Sequence, residues 1–293
     1  MLDFTGRVVI VTGAARGIGR AYAHLLGARG ASVVVNDLGG DTDGRDPSAE
    51  PAAAVAAEIE AAGGTAVASA DSVADPKGVE AIVALAVERF GRVDAVINNA
   101  GNYRLGTFEE LEPEVYQSFL DVHYLGSLLL SRAAWPHLVA SGSGRVVNTV
   151  SAALTGQPDM VHYGAAKGAV YGFTRNLAVA GAPHGIKVNA VAPGAGTRMM
   201  DIAGPALPPG TVEFMHEQMP PEKVAPVGAY LAHPDCSITG EVLSAAGGYV
   251  SRMVMVGTPG IHDPELSPET VAARIGEITD PANAQPAELA FPA

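Results

Sequence analysis

Arg7-Val8-Val9-Ile10-Val11-Thr12 is an unbroken β-branched run that leads straight into Gly13-Ala14-Ala15-Arg16-Gly17-Ile18-Gly19. No other stretch restricts the fold as strongly. A short run that is apolar at every position has no face to offer water, so it reads as a strand of a parallel sheet, buried on both sides. The glycines that follow open a helical pattern over 17–29. In that setting a glycine-rich turn lets backbone approach a diphosphate seated on the helix N-terminus. The same glycines also fit a plain tight turn between strand and helix.

The rest of the chain repeats the alternation. Strands are expected at 31–37, 65–69, 93–97, 145–150, 187–191 and near 240–244. Helices are expected at 51–62, 76–90, 113–140 (with a kink before Pro136), 163–180 and 222–232. Residues 38–51 read as loop, and 193–221 carry no strand signal. Strand–helix alternation of this kind specifies an α/β fold with a doubly wound parallel sheet of Rossmann type. Residues 1–250 form the expected single domain. Residues 251–293 are Pro-rich, with one helix near 268–278, and are expected to pack on it as an extension.

Composition narrows the partners. The chain has 293 residues, 48% of them hydrophobic, and a net charge of −13. No cluster of Lys and Arg is present to follow a nucleic acid backbone. No run of about 18 apolar residues predicts a membrane span. Neither a secretory signal nor a targeting motif in the closing Ala-Phe-Pro-Ala is read. Cys236 is the one cysteine, which fits a reducing, cytoplasmic setting. His184, His216, His233 and His262 share no metal-ligand spacing, so no metal is expected.

Two further features carry chemistry. Asp37 ends the second strand, eighteen residues after Gly19. A carboxylate there bonds the ribose hydroxyls of a dinucleotide and repels a 2′-phosphate, which favours NAD over NADP. Arg16 pulls the other way, because a nearby cation suits a 2′-phosphate. Tyr163 and Lys167 stand four apart, on one face of a helix. A lysine cation nearby favours the phenolate, whose ordinary pKa is about 10. Such a tyrosine exchanges protons with an alcohol near neutrality. The pair also fits an ordinary surface contact.

Taken in order, Thr12-Gly-x-x-x-Gly-x-Gly19, Asn98-Asn-Ala-Gly101, Ser151, Tyr163-x-x-x-Lys167 and Pro193-Gly194 resemble the short-chain dehydrogenase/reductase family. The resemblance covers residues 7 to about 250. Val35-Asn-Asp-Leu-Gly-Gly40, Arg132-Ala-Ala-Trp135 and Ala195-Gly-Thr-Arg-Met199 resemble one subgroup within it. That subgroup is the (3R)-hydroxyacyl-CoA dehydrogenase unit of peroxisomal multifunctional enzyme type 2.

The resemblance implies roles. Gly13, Arg16, Gly17, Ile18 and Gly19 line the diphosphate turn, and Asp37 takes the adenosine ribose. Asp71 and Ser72 flank the adenine. Asn98, Ala100 and Gly101 form the floor under the cofactor. Ser151 holds the substrate oxygen, and Tyr163 is the acid/base. Lys167 binds the nicotinamide ribose and tunes Tyr163. Pro193, Gly194 and Thr197 close over the carboxamide. Met199, Met200, Met215 and Met219 stand where the family keeps a substrate lid.

Two positions depart from the family pattern. His123 stands where many members have an Asn that supports a water relay behind the lysine. An imidazole suits such a relay, and a hydrogen-bonded core histidine fits as well. Ser151 precedes Tyr163 by twelve positions, one fewer than is usual, with Thr149 and Thr155 as alternative hydroxyls. His162 is expected on the cleft wall.

The implied function is an NAD-dependent oxidoreductase interconverting a secondary alcohol and a ketone. The implied substrate is a (3R)-hydroxyacyl-CoA or a steroid-like alcohol, with Arg104, Arg198 and Arg252 as candidates for CoA phosphates. The alternatives are an NADPH-dependent ketone reductase and a non-catalytic nucleotide-binding member. The resemblance also implies a homodimer or homotetramer built through the helices of 113–140 and 163–180.

Overall fold

The computed structural model describes residues 1–291, so Pro292 and Ala293 of the tail lie outside the described residues. The chain runs β1 (Val8–Thr12), α1 (Gly17–Ala28), β2 (Ser32–Asn36), α2 (Glu50–Ala61), β3 (Thr65–Ser69), α3 (Pro76–Phe90) and β4 (Ala95–Asn98). It continues with α4 (Pro113–Phe119), α5 (Gly126–Ala140), β5 (Arg145–Thr149), α6 (Val161–Gly181) and β6 (Lys187–Gly194). Helices α7 (Arg198–Ala203), α8 (Thr211–Gln218) and α9 (Ala225–Ala232) precede β7 (Val242–Ala246) and β8 (Tyr249–Met253). The extension adds β9 (Val256–Gly257), α10 (Pro268–Ala273), α11 (Ile275–Ile278) and β10 (Gln285–Pro286).

One sheet carries strands in the order β3-β2-β1-β4-β5-β6-β7-β8. All neighbours are parallel except β7 and β8. Alternate side chains of β1 serve opposite faces. Val9 and Val11 pack with α1, α2 and α9, whereas Val8 and Ile10 pack with α3, α5 and α6. Burial on both faces is why these strands are apolar at every position. After β3 the chain crosses back past β1 to β4. That reversal opens a crevice at the carboxyl ends of β1 and β4, where doubly wound sheets hold their ligands.

Three elements differ from the sequence reading. The long helix over 113–140 is interrupted at Leu120–Leu125, a π-helical segment, and α5 continues through Pro136. The widened turn there is a packing outcome with no local sequence signature. The helix over 268–278 divides at Arg274 into α10 and α11. Strand β8 is an addition: an antiparallel edge strand that runs across position 250, returned by Gly247-Gly248 with φ of 58° and 91°. Only residues without a Cβ accept two such values in succession at low cost.

Candidate active site

The crevice is lined from end to end by residues that the sequence singles out. Gly13, Arg16, Gly17, Ile18 and Asp37 line one end, with Asp71 and Ser72 beside them. Ala100, Gly101 and His123 line the middle, and Tyr163, Lys167, Pro193, Thr197 and Met199 the other end.

The glycine turn is built against the end of β4. Thr12 Oγ1 accepts hydrogen bonds from the amides of Asn99 and Ala100, both at 3.0 Å. Asn99 Nδ2 returns two bonds, to the carbonyls of Thr12 and Gly13. A Cβ on Gly13 would stand 2.8 Å from Ala100 Cα, so only glycine permits this approach. Gly19 lies deeper. A Cβ there would stand 2.0 Å from the Gly13 carbonyl oxygen, so it packs the turn and does not line the cleft. Helix α1 starts with no capping side chain and no acidic residue in its first turn. Its positive end therefore faces the crevice with no capping side chain of its own, which suits the diphosphate of a dinucleotide.

Asp37 stands at the mouth of this turn. Its carboxylate accepts from the Ala15 amide at 2.9 Å and the Gly39 amide at 2.8 Å. Each oxygen keeps a further lone pair for a ribose hydroxyl. Arg16 donates to the Gly40 carbonyl at 3.0 Å on the same side. The loop after β2 folds back over the crevice, where the Thr42 carbonyl accepts from the Tyr103 amide at 2.9 Å.

At the opposite end, Tyr163 and Lys167 project from α6. Lys167 Nζ donates to the Thr149 carbonyl at 2.7 Å and lies 5.5 Å from the Tyr163 ring centre. Both side chains are buried. The charge state differs from the sequence expectation. Burial pushes the Tyr163 phenol up to about 12, although the Ser151 hydroxyl works the other way. Burial pushes the Lys167 amine down to about 7. Removing both groups from water costs each charged form more than their mutual attraction returns. Burial therefore works against the charged form of both groups.

Ser151 caps the short turn after β5, and its Oγ accepts from the Ala153 amide at 3.1 Å. Thr155 is exposed and bonds the Ala152 carbonyl, and Thr149 holds Lys167 through its backbone. Ser151 is thus the hydroxyl beside Tyr163, despite the short spacing.

His123 sits on the π-helical segment, wholly buried, with its ring edge-on to Tyr163 at 5.4 Å between centres. Its Nε2 donates to the Asn102 carbonyl at 3.1 Å. That bond assigns the proton to Nε2 and leaves Nδ1 as an acceptor, buried and without a partner. Burial first and Lys167 second hold His123 well below the usual imidazole range. Ser127 donates its hydroxyl to the His123 carbonyl at 2.6 Å. A π-turn at such a position is common at functional sites.

Other expected residues sit outside the crevice. Asn98 is buried, donating to Asn148 Oδ1 at 2.8 Å and Ser131 Oγ at 3.1 Å. It ties β4 to β5 and α5 beneath the floor. Gly194 packs under Ala246 and Met219. His162 does not line the cleft. It is buried edge-on to Phe119, with its Nε2 bonded to the Arg104 carbonyl at 2.9 Å. Arg252 pairs with Glu241 on the surface, away from the crevice.

Sequence reasoning missed Asn102, Tyr103 and Phe119, and it quoted Asn99 within its motif without assigning it the turn-holding bonds. Asn102 lines the crevice with its Oδ1 buried and without a partner. Tyr103, Phe119, Met199 and Met200 pack with Tyr163 into one apolar wall at the reacting end. No group of His, Cys, Asp or Glu suited to a metal occurs among the described residues. Nor is any helix among them long and apolar enough to cross a membrane.

The chain is similar to known proteins along most of its length. A short-chain type dehydrogenase/reductase of Mycobacterium tuberculosis is 44% identical over 277 residues, 94% of either chain. The full-length peroxisomal multifunctional enzyme type 2 of Drosophila melanogaster superposes with a TM-score of 0.77 at 30% identity. It matches 97% of this chain, which spans 47% of the Drosophila chain. A short-chain dehydrogenase of Burkholderia cenocepacia, solved in complex with NADP, superposes with a TM-score of 0.72 at 34% identity. It covers 84% of this chain and is itself covered over 98%. The family model for short chain dehydrogenases matches residues 7–203, from β1 to the last residue of α7. The chain belongs to the short-chain dehydrogenase family.

Proposed function

We propose that the chain is an NAD-dependent oxidoreductase that interconverts a secondary alcohol and a ketone. The observation that carries this reading is the two-ended crevice. Asp37 holds the glycine turn at one end, and Tyr163 with Ser151 and Lys167 stands against an apolar wall at the other. The bound dinucleotide would supply the hydride acceptor at the carbinol carbon. Tyr163 moves the proton of the substrate oxygen, and Ser151 donates a hydrogen bond to that oxygen as charge develops. In ketone reduction the neutral phenol is the required donor. In alcohol oxidation the phenolate is required, and protonated Lys167 and the Ser151 hydroxyl favour it. His123 Nδ1 is a buried acceptor without a partner, and this reading gives it a proton-relay role.

The substrate is read as a (3R)-hydroxyacyl-CoA or a steroid-like alcohol. The wall of Tyr103, Phe119, Met199 and Met200 supports an apolar chain or ring system. The subgroup resemblance supports the thioester. The reading includes a homodimer or homotetramer in the cytoplasm. A screen of NAD reduction over (3R)- and (3S)-hydroxyacyl-CoA and hydroxysteroid panels tests it. Turnover confined to an R-hydroxyacyl or steroid alcohol is the expected result, and no turnover on either panel would reject the substrate class.

A second reading, an NADPH-dependent ketone reductase, is favoured by Arg16 beside the adenosine end and by the NADP held in the Burkholderia structure.

A further inference from the structure

Arg198 does not stand with the substrate wall. It opens α7, directly after Thr197, and Thr197 lies against the glycine turn: a Cβ on Gly17 would meet Thr197 Cγ2 at 3.2 Å. Arg198 lines the same crevice as Arg16. Partial burial first, and then the Arg16 guanidinium, disfavour its charge, while Asp37 and Asp41 nearby favour it. Among the described residues neither Arg16 nor Arg198 forms a salt bridge. The chain carries a net charge of −13, yet two guanidiniums face one crevice beside the open end of α1. Asp37 and Asp41 line the same crevice and offset part of this charge, while neither forms an ion pair with Arg198, and a guanidinium fork matches phosphate oxygens in shape.

The next residues of α7, Met199 and Met200, belong to the apolar wall around Tyr163. A contact from Arg198 to the nucleotide would therefore tie the substrate wall to the cofactor. We infer that Arg198 is a cofactor-phosphate ligand carried by the substrate-side helix, so that binding of the dinucleotide seats α7 before substrate arrives. This rests on the dinucleotide reading above. The phosphate has two possible sources, the bridging diphosphate of any nicotinamide dinucleotide or the 2′-phosphate of NADP.

The test is calorimetric binding of ADP-ribose, 2′-phospho-ADP-ribose and adenosine to the wild type, Arg198→Gln and Arg198→Lys. Hydrogen exchange of the amides of 198–203 is followed with and without ADP-ribose. The expected result is a loss of about tenfold in phosphate-ligand affinity for Arg198→Gln, with adenosine unchanged and partial recovery in Arg198→Lys. The protection that ADP-ribose confers on α7 should fall in parallel. Equal losses on both phosphorylated ligands identify the diphosphate, and a loss confined to the 2′-phospho form identifies the 2′-phosphate. Unchanged affinity for both, or an equal loss on adenosine, overturns the assignment. A wild type that binds none of the three ligands overturns the dehydrogenase reading and this contact with it, whereas wild-type binding unaltered in Arg198→Gln overturns only the contact.

Discussion

The Asp37 carboxylate accepts a hydrogen bond from the Ala15 amide at 2.9 Å, across the gap between β2 and the glycine turn. Its other oxygen accepts from the Gly39 amide at 2.8 Å. The acid proposed to select a ribose is therefore also the clasp that holds the turn to the following loop. On the proposed reading, a substitution there changes cofactor choice and local order together.

Asp37→Ala should raise KM for NAD about tenfold or more and improve the use of NADP, because a carboxylate–hydroxyl contact is lost along with the repulsion. It should also cost about 1–2 kcal/mol of stability by leaving two amides without their acceptor. Asp37→Asn keeps one acceptor and removes the charge, which separates the two effects. Steady-state constants with each cofactor, together with thermal midpoints, check this. An unaltered NAD preference in both variants would exclude the ribose role.

Tyr163→Phe removes the phenol and keeps the ring that packs with Tyr103 and Phe119. Turnover should fall by about 10²–10⁴ while NAD affinity changes by less than about twofold. Ser151→Ala should cost about 10²–10³ in kcat, the usual loss for an oxyanion donor. Retained activity in Tyr163→Phe would remove it from the proton transfer.

Most of the sheet is legible in the sequence because β1, β2, β4, β5 and β6 are buried on both faces and have no polar side to blur the signal. Strand β8 is not, since its residues are largely exposed and Tyr249-Val250-Ser251-Arg252-Met253 shows no clean alternation. The Gly247-Gly248 pair was its one readable sign. At the site, many of the residues that line the crevice are legible in the sequence, and the effect of burial on their charges is not. The Tyr163–Lys167 spacing points to attraction, but its effect depends on burial, which only the packing of β5, α6 and α7 fixes. The role of Asn99 and the position of Asn102 are not legible because their work is long-range: one holds the glycine turn, the other supplies the carbonyl for His123.

Gly101 and His123 should behave as one unit. A Cβ on Gly101 would stand 2.4 Å from His123 Cε1 and 2.9 Å from Nδ1. The ring is buried and anchored on the Asn102 carbonyl, so it cannot yield freely. Gly101→Ala should destabilise the protein by about 1–3 kcal/mol, as overpacking does. Adding His123→Ala should return much of that loss, giving a coupling energy of about 1 kcal/mol or more. Chemical denaturation of the four proteins measures it. Additive losses would mean that the ring does not press on Gly101.

Lys167 gives a stability profile with a definite sign. Its folded value is about 7, against about 10.4 when the chain is unfolded. Between these values the unfolded chain binds more protons, so stability rises with pH. The destabilisation is fully present below about pH 7 and is gone above about pH 10. Tyr163, pushed up to about 12, acts only above about pH 10 and leaves this window clear. His123 titrates below the window. Lys167→Met removes the titration together with the Thr149 hydrogen bond, whose change with the amine's charge is already contained in the folded value. From pH 7 to 9.5 the wild type should therefore gain about 3 kcal/mol relative to Lys167→Met. Denaturant unfolding of both proteins at several pH values reads this difference directly. Parallel profiles across the window would mean that Lys167 stays protonated in the folded protein, and that the phenolate of Tyr163 has its counter-cation after all.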